Sequence, residues 1–421
     1  MHRLVVREYG CIVSGTPKQI GKDLINVCAE DFAYLKTAIT SEESDDMGEL
    51  LKLCTKHGHE ALQVQNFAGI IQTPRGTIIE ILPKVYAASK EDDEEAHARR
   101  ILLTMLRHFR ALPFKQSDTA LLAQGKIPLM EFFIGHFLGQ MTRLIKYGIR
   151  SDYVVVEDNL TYLKGKLNLT AHIRKNVAHK EHFHVRFDEF LPNRPENRLI
   201  KSSLLLVASL TRTTANQKLC REHLFTFNDI PPSTNHACDF HCYRSDRNMA
   251  HYDEVMMWCR MLLGGNSPLP QFGKRQCISL LFPMEKLFED YVAAKLKRQQ
   301  PNWQISTQTS TEHLIQNHKR RKLFKLKPDI LIREEGRQVV ADTKWKLIST
   351  IKSGYGISQS DLYQVYAYGH KYLSSQDTKE VILIYPMTGE FMRPLDPFAF
   401  ENGFILRVLP FDIEAGHLQL N

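Results

Sequence analysis

The stretch LFKLKPDILIREEGRQVVADTKW, residues 323–345, decides the fold of the C-terminal third. Leu323 to Arg333 reads as one strand and Gln338 to Trp345 as the next, because each is rich in apolar and β-branched residues. Glu334-Glu335-Gly336-Arg337 between them is a short polar turn, so the strands are expected to pair as a hairpin. Side chains alternate along a strand, which sends Asp342 and Lys344 to one face and Thr343 to the other. Antiparallel pairing then brings Asp329, after Pro328, beside Asp342. Two carboxylates and an ammonium converge, flanked by Ile330, Ile332, Val339 and Val340.

That combination suits the hydrolysis of a phosphodiester. Close carboxylates supply the oxygen ligands a hard divalent cation needs. The cation activates water and stabilises the charge of the transition state. A lysine beside it orients the water or neutralises the phosphate. Asp-x-Lys alone is more often a solvated ion pair on a surface hairpin. The Pro-Asp, the turn and the apolar strand ahead of Asp-Thr-Lys together favour a site.

The flanking segments extend the pattern. LFPMEKLFEDYVAAKL, residues 281–296, has helical periodicity and puts Glu285 and Glu289 one turn apart on one side. DLYQVYAYGHKY, residues 361–372, sets Gln364 and Tyr368 at i and i+4. HKRRK, residues 318–322, with Lys325 and Lys327, is a basic run leading into the Asp329 strand, and Arg320, Arg321 and Lys322 are candidates for phosphate contact. From about residue 278 the expected order is helix, three strands, helix, two strands, an α/β pattern.

Upstream, the chain reads as β-rich and then helical. Ala68 to Tyr86 looks like a hairpin around Thr73-Pro74-Arg75-Gly76, and Ser41 to Asp46 like a solvated acidic loop. Glu91 to Glu95 looks like the acidic start of a helix carrying Ile101 to Phe109. Helices are expected over Ile127–Tyr147, Glu196–Leu210 and Met249–Leu263, with alternation from 153 to 190. Pro268 and Pro270 mark a boundary, giving a mixed β/helical region 1–265 and an α/β domain 275–421. With 421 residues the chain exceeds one ordinary core, and 43% hydrophobic and 24% charged residues are the balance of a soluble globular protein. No apolar run is long enough to span a bilayer and the first residues lack a secretory core, so a cytoplasmic protein with no membrane partner is expected. Eight scattered cysteines suit free thiols, and a net charge of +8 suits a polyanionic partner. Gly15 to Asp23 imitates a phosphate loop but has one residue too many between its glycines and an acid where Ser or Thr is needed, so no nucleotide is expected on this chain. His236 to Cys242 contains zinc-ligand types at a non-standard spacing, and buried thiols with loop histidines are the expectation there.

The Pro328-Asp329…Asp342-Thr343-Lys344 pattern resembles the PD-(D/E)xK nucleases, in the variant whose second acid is Asp. In that superfamily a preceding helix supplies a further acid, for which Glu289 matches better than Glu285. Gln364 and Tyr368 resemble the Q-x-x-x-Y element of RecB-like members, which supports the site and touches DNA. GIIQTPRGTIIEILPK (69–84), LKGKL (163–167) and FDEFLPNRPENRLIK (187–201), in that order ahead of the core, resemble the McrC family, the nuclease subunits of McrBC-type modified-cytosine restriction systems. The third departs at Asn193-Arg194, where an acid is expected. The resemblance implies a mixed α/β chain with a C-terminal PD-(D/E)xK core, behind a region that docks on and stimulates a hexameric AAA+ GTPase of McrB type. It implies endonucleolytic cleavage of methylated double-stranded DNA with Mg²⁺, for which Mn²⁺ substitutes. Asp329 and Asp342 would hold metal, Lys344 would assist, Glu289 and Gln364 would support, and Tyr368 would touch DNA. A non-enzymatic activator of an AAA+ ring and a stand-alone RecB-like repair nuclease are the other readings. The intact Asp…Asp-x-Lys set disfavours the first, and the large remainder of the chain disfavours the second.

Overall fold

The computed structural model describes residues 3–16, 18–20, 23–40, 50–56, 58–84, 94–110, 127–243, 249–264, 279–334, 337–374, 379–400 and 403–420. They form two compact units, one of residues 1–129 with 268–421 and one of residues 130–267. The first 129 residues thus group with the C-terminal part rather than with the middle, unlike the expected partition into 1–265 and 275–421. Pro268, Pro270, the acidic 41–46 loop and Glu91–Asp93 lie outside the described residues, as does part of the Gly15–Asp23 segment.

The first unit begins with strands β1 (Arg3–Arg7), β2 (Cys11–Ser14), β3 (Lys18–Gln19) and β4 (Leu24–Val27), then helix α1 (Ala29–Thr40). Strands β5 (Leu51–Lys56), β6 (His59–Val64), β7 (Phe67–Gln72) and β8 (Ile78–Leu82) follow. A five-stranded sheet of order β3-β4-β2-β6-β5 buries Ile12, Ile25, Leu62 and Val64 against Leu35 of α1. The expected hairpin is β7–β8, with Gly69 opposite Ile81. Helix α2 (Glu94–Leu106) opens with Glu94 and Glu95, where negative charge meets the positive end of the helix dipole. Its buried Arg99 reaches Glu80 of β8 at 3.1 Å and Glu95 at 2.9 Å.

The second unit holds most of α3 (Leu129–Tyr147), strands β9 (Asp152–Leu160) and β10 (Lys166–Leu167), α4 (Leu169–Lys175), β11 (Phe183–Leu191), then α5 (Pro195–Leu210), α6 (Thr214–Thr226), α7 (His236–Cys242) and α8 (Ala250–Leu262). The strands form an antiparallel sheet of order β10-β11-β9. Gly165 has φ +72°, and a Cβ there would fall 2.6 Å from the Arg186 carbonyl oxygen, so the LKGKL turn needs glycine. Arg194, where an acid was expected, pairs with Asp152 at 2.6 Å and with Glu196, tying β9 to the first turn of α5. Tyr252 of α8 donates to Asn197 Oδ1 at 2.9 Å, closing the same corner. The His236–Cys242 segment is helical rather than a loop, capped by Asn235, and both of its thiols are exposed rather than buried.

The chain returns to the first unit with β12 (Ser279–Pro283), which runs antiparallel to β7 and completes a sheet of order β1-β8-β7-β12. This pairing is the physical reason the first 129 residues belong with the C-terminal part. Gly69 permits it: φ is +141°, and a Cβ would sit 1.9 Å from the Leu280 carbonyl oxygen. Helix α9 (Met284–Gln299) packs on α2. Strands β13 (Gln304–Thr307), β14 (His313–His318), β15 (Arg321–Lys325), β16 (Ile330–Glu334) and β17 (Arg337–Thr343) precede helix α10 (Gln359–Tyr372), and β18 (Lys379–Pro386), β19 (Phe398–Ala399), β20 (Phe404–Asp412) and β21 (His417–Leu418) end the chain. The main sheet has seven strands, β13-β16-β17-β18-β20-β19 with β21 on β20. Its centre, β17-β18-β20, is parallel, with α10 as the β17–β18 crossover. Val340, Val365, Tyr368, Leu383, Leu406 and Val408 form its core.

Leu323–Arg333 is not one strand. β15 ends at Lys325 and pairs only with β14, whereas β16 starts at Ile330 in the main sheet. Pro328, which has no N–H for a ladder, lies in the gap. Among the described residues no helix is long and apolar enough to cross a membrane.

Candidate active site

Strands β16 and β17 pair antiparallel, with Ile330 opposite Ala341, so one step further Asp329 faces Asp342 across the strand ends. Glu334 faces Arg337 at the other end, and Glu335 and Gly336 of the turn lie outside the described residues. Asp329 Oδ2 accepts from the Thr343 amide at 2.8 Å and from its hydroxyl at 2.7 Å. Thr343 is still paired with Ile384 of β18, while Asp329 precedes β16 and its carboxylate reaches across to Thr343.

Lys344 Nζ lies 2.5 Å from Asp342 Oδ2 and donates to Gln364 Oε1 at 2.8 Å. Gln364 Nε2 donates to the Tyr368 hydroxyl at 2.7 Å, which donates to the Lys327 carbonyl at 3.0 Å. The i, i+4 spacing on α10 builds a relay that orients the lysine. Tyr368 itself is buried in the sheet core and its hydroxyl is committed within the protein. Its hydroxyl holds Gln364, the residue that receives the Lys344 ammonium.

Glu289 of α9 is buried and accepts from Lys286 Nζ at 2.8 Å and Gln308 Nε2 at 2.6 Å. Burial and then the charge of Asp329 raise its pKa, so Glu289 faces the aspartate pair. Glu285 instead acts on Glu8 and Lys84. Burial, then the charge of Asp342, pushes Asp329 up to about 6. Burial likewise raises Asp342, with Asp361 and Glu289 adding to the rise and Lys344 opposing it. For Lys344 burial works downward, but Asp342, Asp329 and Asp361 outweigh it and hold the ammonium above its usual range. Carboxylates crowded out of water with too little positive charge create a demand for a cation.

The donors fit a hard dication. Asp342 Oδ2 is buried and faces the Lys344 ammonium at 2.5 Å. Among the described residues, the triple of potential ligands whose donor atoms all lie within 4.8 Å is His179, Glu181 and His182, in the other unit. Asp329 and Asp342 would thus hold a cation as a carboxylate pair, as suits Mg²⁺, which keeps several waters.

Two further groups escaped the sequence reading. Lys346 donates to both oxygens of Asp361, at 2.9 and 2.8 Å, and Asp361 also accepts from Tyr385 at 3.4 Å. Lys346 was within reach of the sequence, since 342, 344 and 346 share one phase of the alternation. Trp345, between the two lysines, donates its indole N–H to Glu8 at 3.1 and 3.0 Å, while Lys84 Nζ donates to the Trp345 carbonyl at 3.3 Å. Burial pushes Glu8 up to about 7. Nothing local signals this contact. Arg320, Arg321 and Lys322 are exposed at the β14–β15 turn and the start of β15, outside the relay.

The McrBC 5-methylcytosine restriction system component family model matches residues 62–386. None of the curated proteins matches the sequence. The refined half-complex of Thermococcus gammatolerans McrB AAA+ hexamers with bound McrC contains a chain that superposes with a TM-score of 0.67 at 19% identity, covering 97% of this chain and 94% of that one. A chain of the cryo-EM structure of the T. gammatolerans McrBC complex aligns at 0.48 and 19% identity, over 70% of this chain and 87% of that one. The match spans most of the sequence, including both candidate aspartates and the relay on α10, and the chain belongs to the McrBC 5-methylcytosine restriction system component family.

Proposed function

We propose that this chain is the DNA-cleaving subunit of a McrBC-type restriction complex, hydrolysing phosphodiesters with Mg²⁺ at Asp329, Asp342 and Lys344. The observation that carries the proposal is the Asp329–Asp342 pair, the first half-buried and the second buried, with Lys344 set against Asp342 by Gln364. Magnesium at this pair would supply Lewis acidity at neutral pH. Asp329 is kept oriented by Thr343, and Asp342 by the ladder of β17. The Lys344 ammonium, fixed by the relay to Tyr368, is placed to neutralise phosphate charge or orient the attacking water. Glu289 supports the pair from α9.

The partner is an AAA+ ring of McrB type, as in the T. gammatolerans assembly. Docking was assigned above to residues 1–265; the unit of residues 130–267 is the better candidate. Its sheet, α4 and the turns that adjoin them expose Tyr153, Tyr162, Leu169, Ile173, Val177 and Phe190, all more than half exposed. So much apolar surface on one small sheet marks an interaction face. The test is nicking of methylated plasmid by chain plus partner, nucleotide and Mg²⁺. Asp342→Asn is expected to stop nicking and leave the partner's nucleotide hydrolysis stimulated. Nicking at the parental rate would overturn the assignment, and a non-enzymatic activator would then be the better reading.

A further inference from the structure

Among the described residues, strands β14 and β15 form a two-stranded antiparallel ribbon that belongs to no larger sheet. An isolated ribbon is marginal in water. This one is fastened at its root. The Leu326 amide donates to the Glu312 carbonyl at 2.9 Å, and the Tyr372 hydroxyl lies 3.0 Å from the Leu326 carbonyl oxygen and 3.2 Å from that of Thr309. Tyr368 holds the Lys327 carbonyl. Both tyrosines stand on α10, the helix whose Gln364 orients Lys344, so the ribbon and the site share one rigid support.

Beyond its root the ribbon is unusual in three ways. Residues 313–325 contain five cations, Lys319, Arg320, Arg321, Lys322 and Lys325, and no acid. Phe324 is 70% exposed, with Leu314 and Ile315 also exposed on the partner strand. Phe324 has φ +56°, as strained for a side chain as the turn residues Lys319 and Arg320 at +48° and +64°. An exposed aromatic held in a strained backbone among cations is costly in the free chain, and such outliers point to a contact made elsewhere.

We infer that this ribbon enters the minor groove of duplex DNA, its cations on the flanking phosphates and Phe324 wedged into a base step. The inference rests on the DNA-cleaving function proposed above and adds how the duplex is gripped. Minor-groove proteins combine arginine or lysine with an apolar wedge that unstacks a step and kinks the duplex by about 20–90°. Pyrimidine–purine steps such as TA and CA unstack most easily, so cutting should favour positions near them. The absence of acids along the ribbon selects a polyanion over an ordinary protein surface.

The experiment uses the full chain in EDTA with a 30-base-pair duplex carrying 2-aminopurine at a central TA step, read by fluorescence and by anisotropy over a salt series. The parent is expected to raise the fluorescence several-fold. Phe324→Ala should abolish the rise and weaken binding about tenfold without changing the salt slope, and Phe324→Trp should keep both signals. An unchanged melting temperature for each variant shows that the exposed position has not altered the fold. Salt-dependent binding with no fluorescence rise, or a rise that survives Phe324→Ala, overturns the wedge alone. No salt-dependent binding by the parent overturns the DNA reading beneath it. Retention of the ribbon on an acidic protein instead of the duplex overturns the choice of partner.

Discussion

Replacing Asp329 with Asn should stabilise the metal-free protein while ending cleavage. In the unfolded chain the carboxyl titrates near 3.8, and in the folded chain at about 6. Between those values the folded state binds more protons, so stability falls as pH rises through the window, and the full penalty is present above it. A rise of roughly two units corresponds to about 3 kcal/mol. The Asn amide oxygen can still accept from the Thr343 amide and hydroxyl, so those bonds survive. For a unit of this size the gain amounts to roughly 5–10 °C in melting temperature. Thermal melts in EDTA at pH 7.5 and at pH 4 read the effect directly: the variant should lead at pH 7.5 and lose its lead at pH 4. Mg²⁺ at millimolar concentration should stabilise the parent and not the variant. A variant no more stable than the parent at pH 7.5, or one whose advantage is the same at both pH values, refutes the reasoning about a crowded carboxylate pair.

Lys344→Ala should lower plasmid nicking by about a hundredfold or more, as expected for losing a transition-state charge, with the partner's nucleotide turnover unchanged; nicking and hydrolysis measured in the same mixture check it. Neutralising Arg320, Arg321 and Lys322 together should reduce the slope of log affinity against log salt by about 2–3, equally for methylated and unmethylated duplex, which a filter-binding series would resolve. Gly69→Ala should cost on the order of 3 kcal/mol or more, because the strain at positive φ adds to a clash with the Leu280 carbonyl, and a denaturant midpoint measures it. A chain in which residues 130–267 are replaced by a short linker should stay soluble and bind DNA, whereas residues 275–421 alone should aggregate; sizing chromatography distinguishes them.

The geometry at the heart of the candidate site was legible because it is local. Asp329, Asp342 and Lys344 lie on one hairpin, and Gln364 and Tyr368 on one helix turn, so alternation and helical spacing alone bring them together. The strand break at Pro328 was misjudged because an apolar run has no periodic signal for which partner each half will take. Trp345 and Glu8 are 337 residues apart, and the β7–β12 pairing joins segments more than two hundred residues apart. No local pattern encodes such closures. They are fixed by burial of shared surface, and the domain boundary was drawn too simply for the same reason. Gly69 was visible as part of a signature, but its purpose is plain only when β12 is seen against it.

The late arrival of β12 has a consequence for synthesis. Strand β7 is complete at residue 72, while its neighbour ends at residue 283. At about 5–20 residues per second, the ribosome needs roughly 10–40 s to make the intervening chain. Throughout that interval the nascent protein presents β7 as an unpaired, apolar edge, FAGIIQ, of the kind that recruits foreign strands. The middle unit can fold on its own contacts while the edge waits. Slowing translation after residue 130 should therefore increase aggregation rather than relieve it, opposite to the behaviour of chains whose domains finish in order.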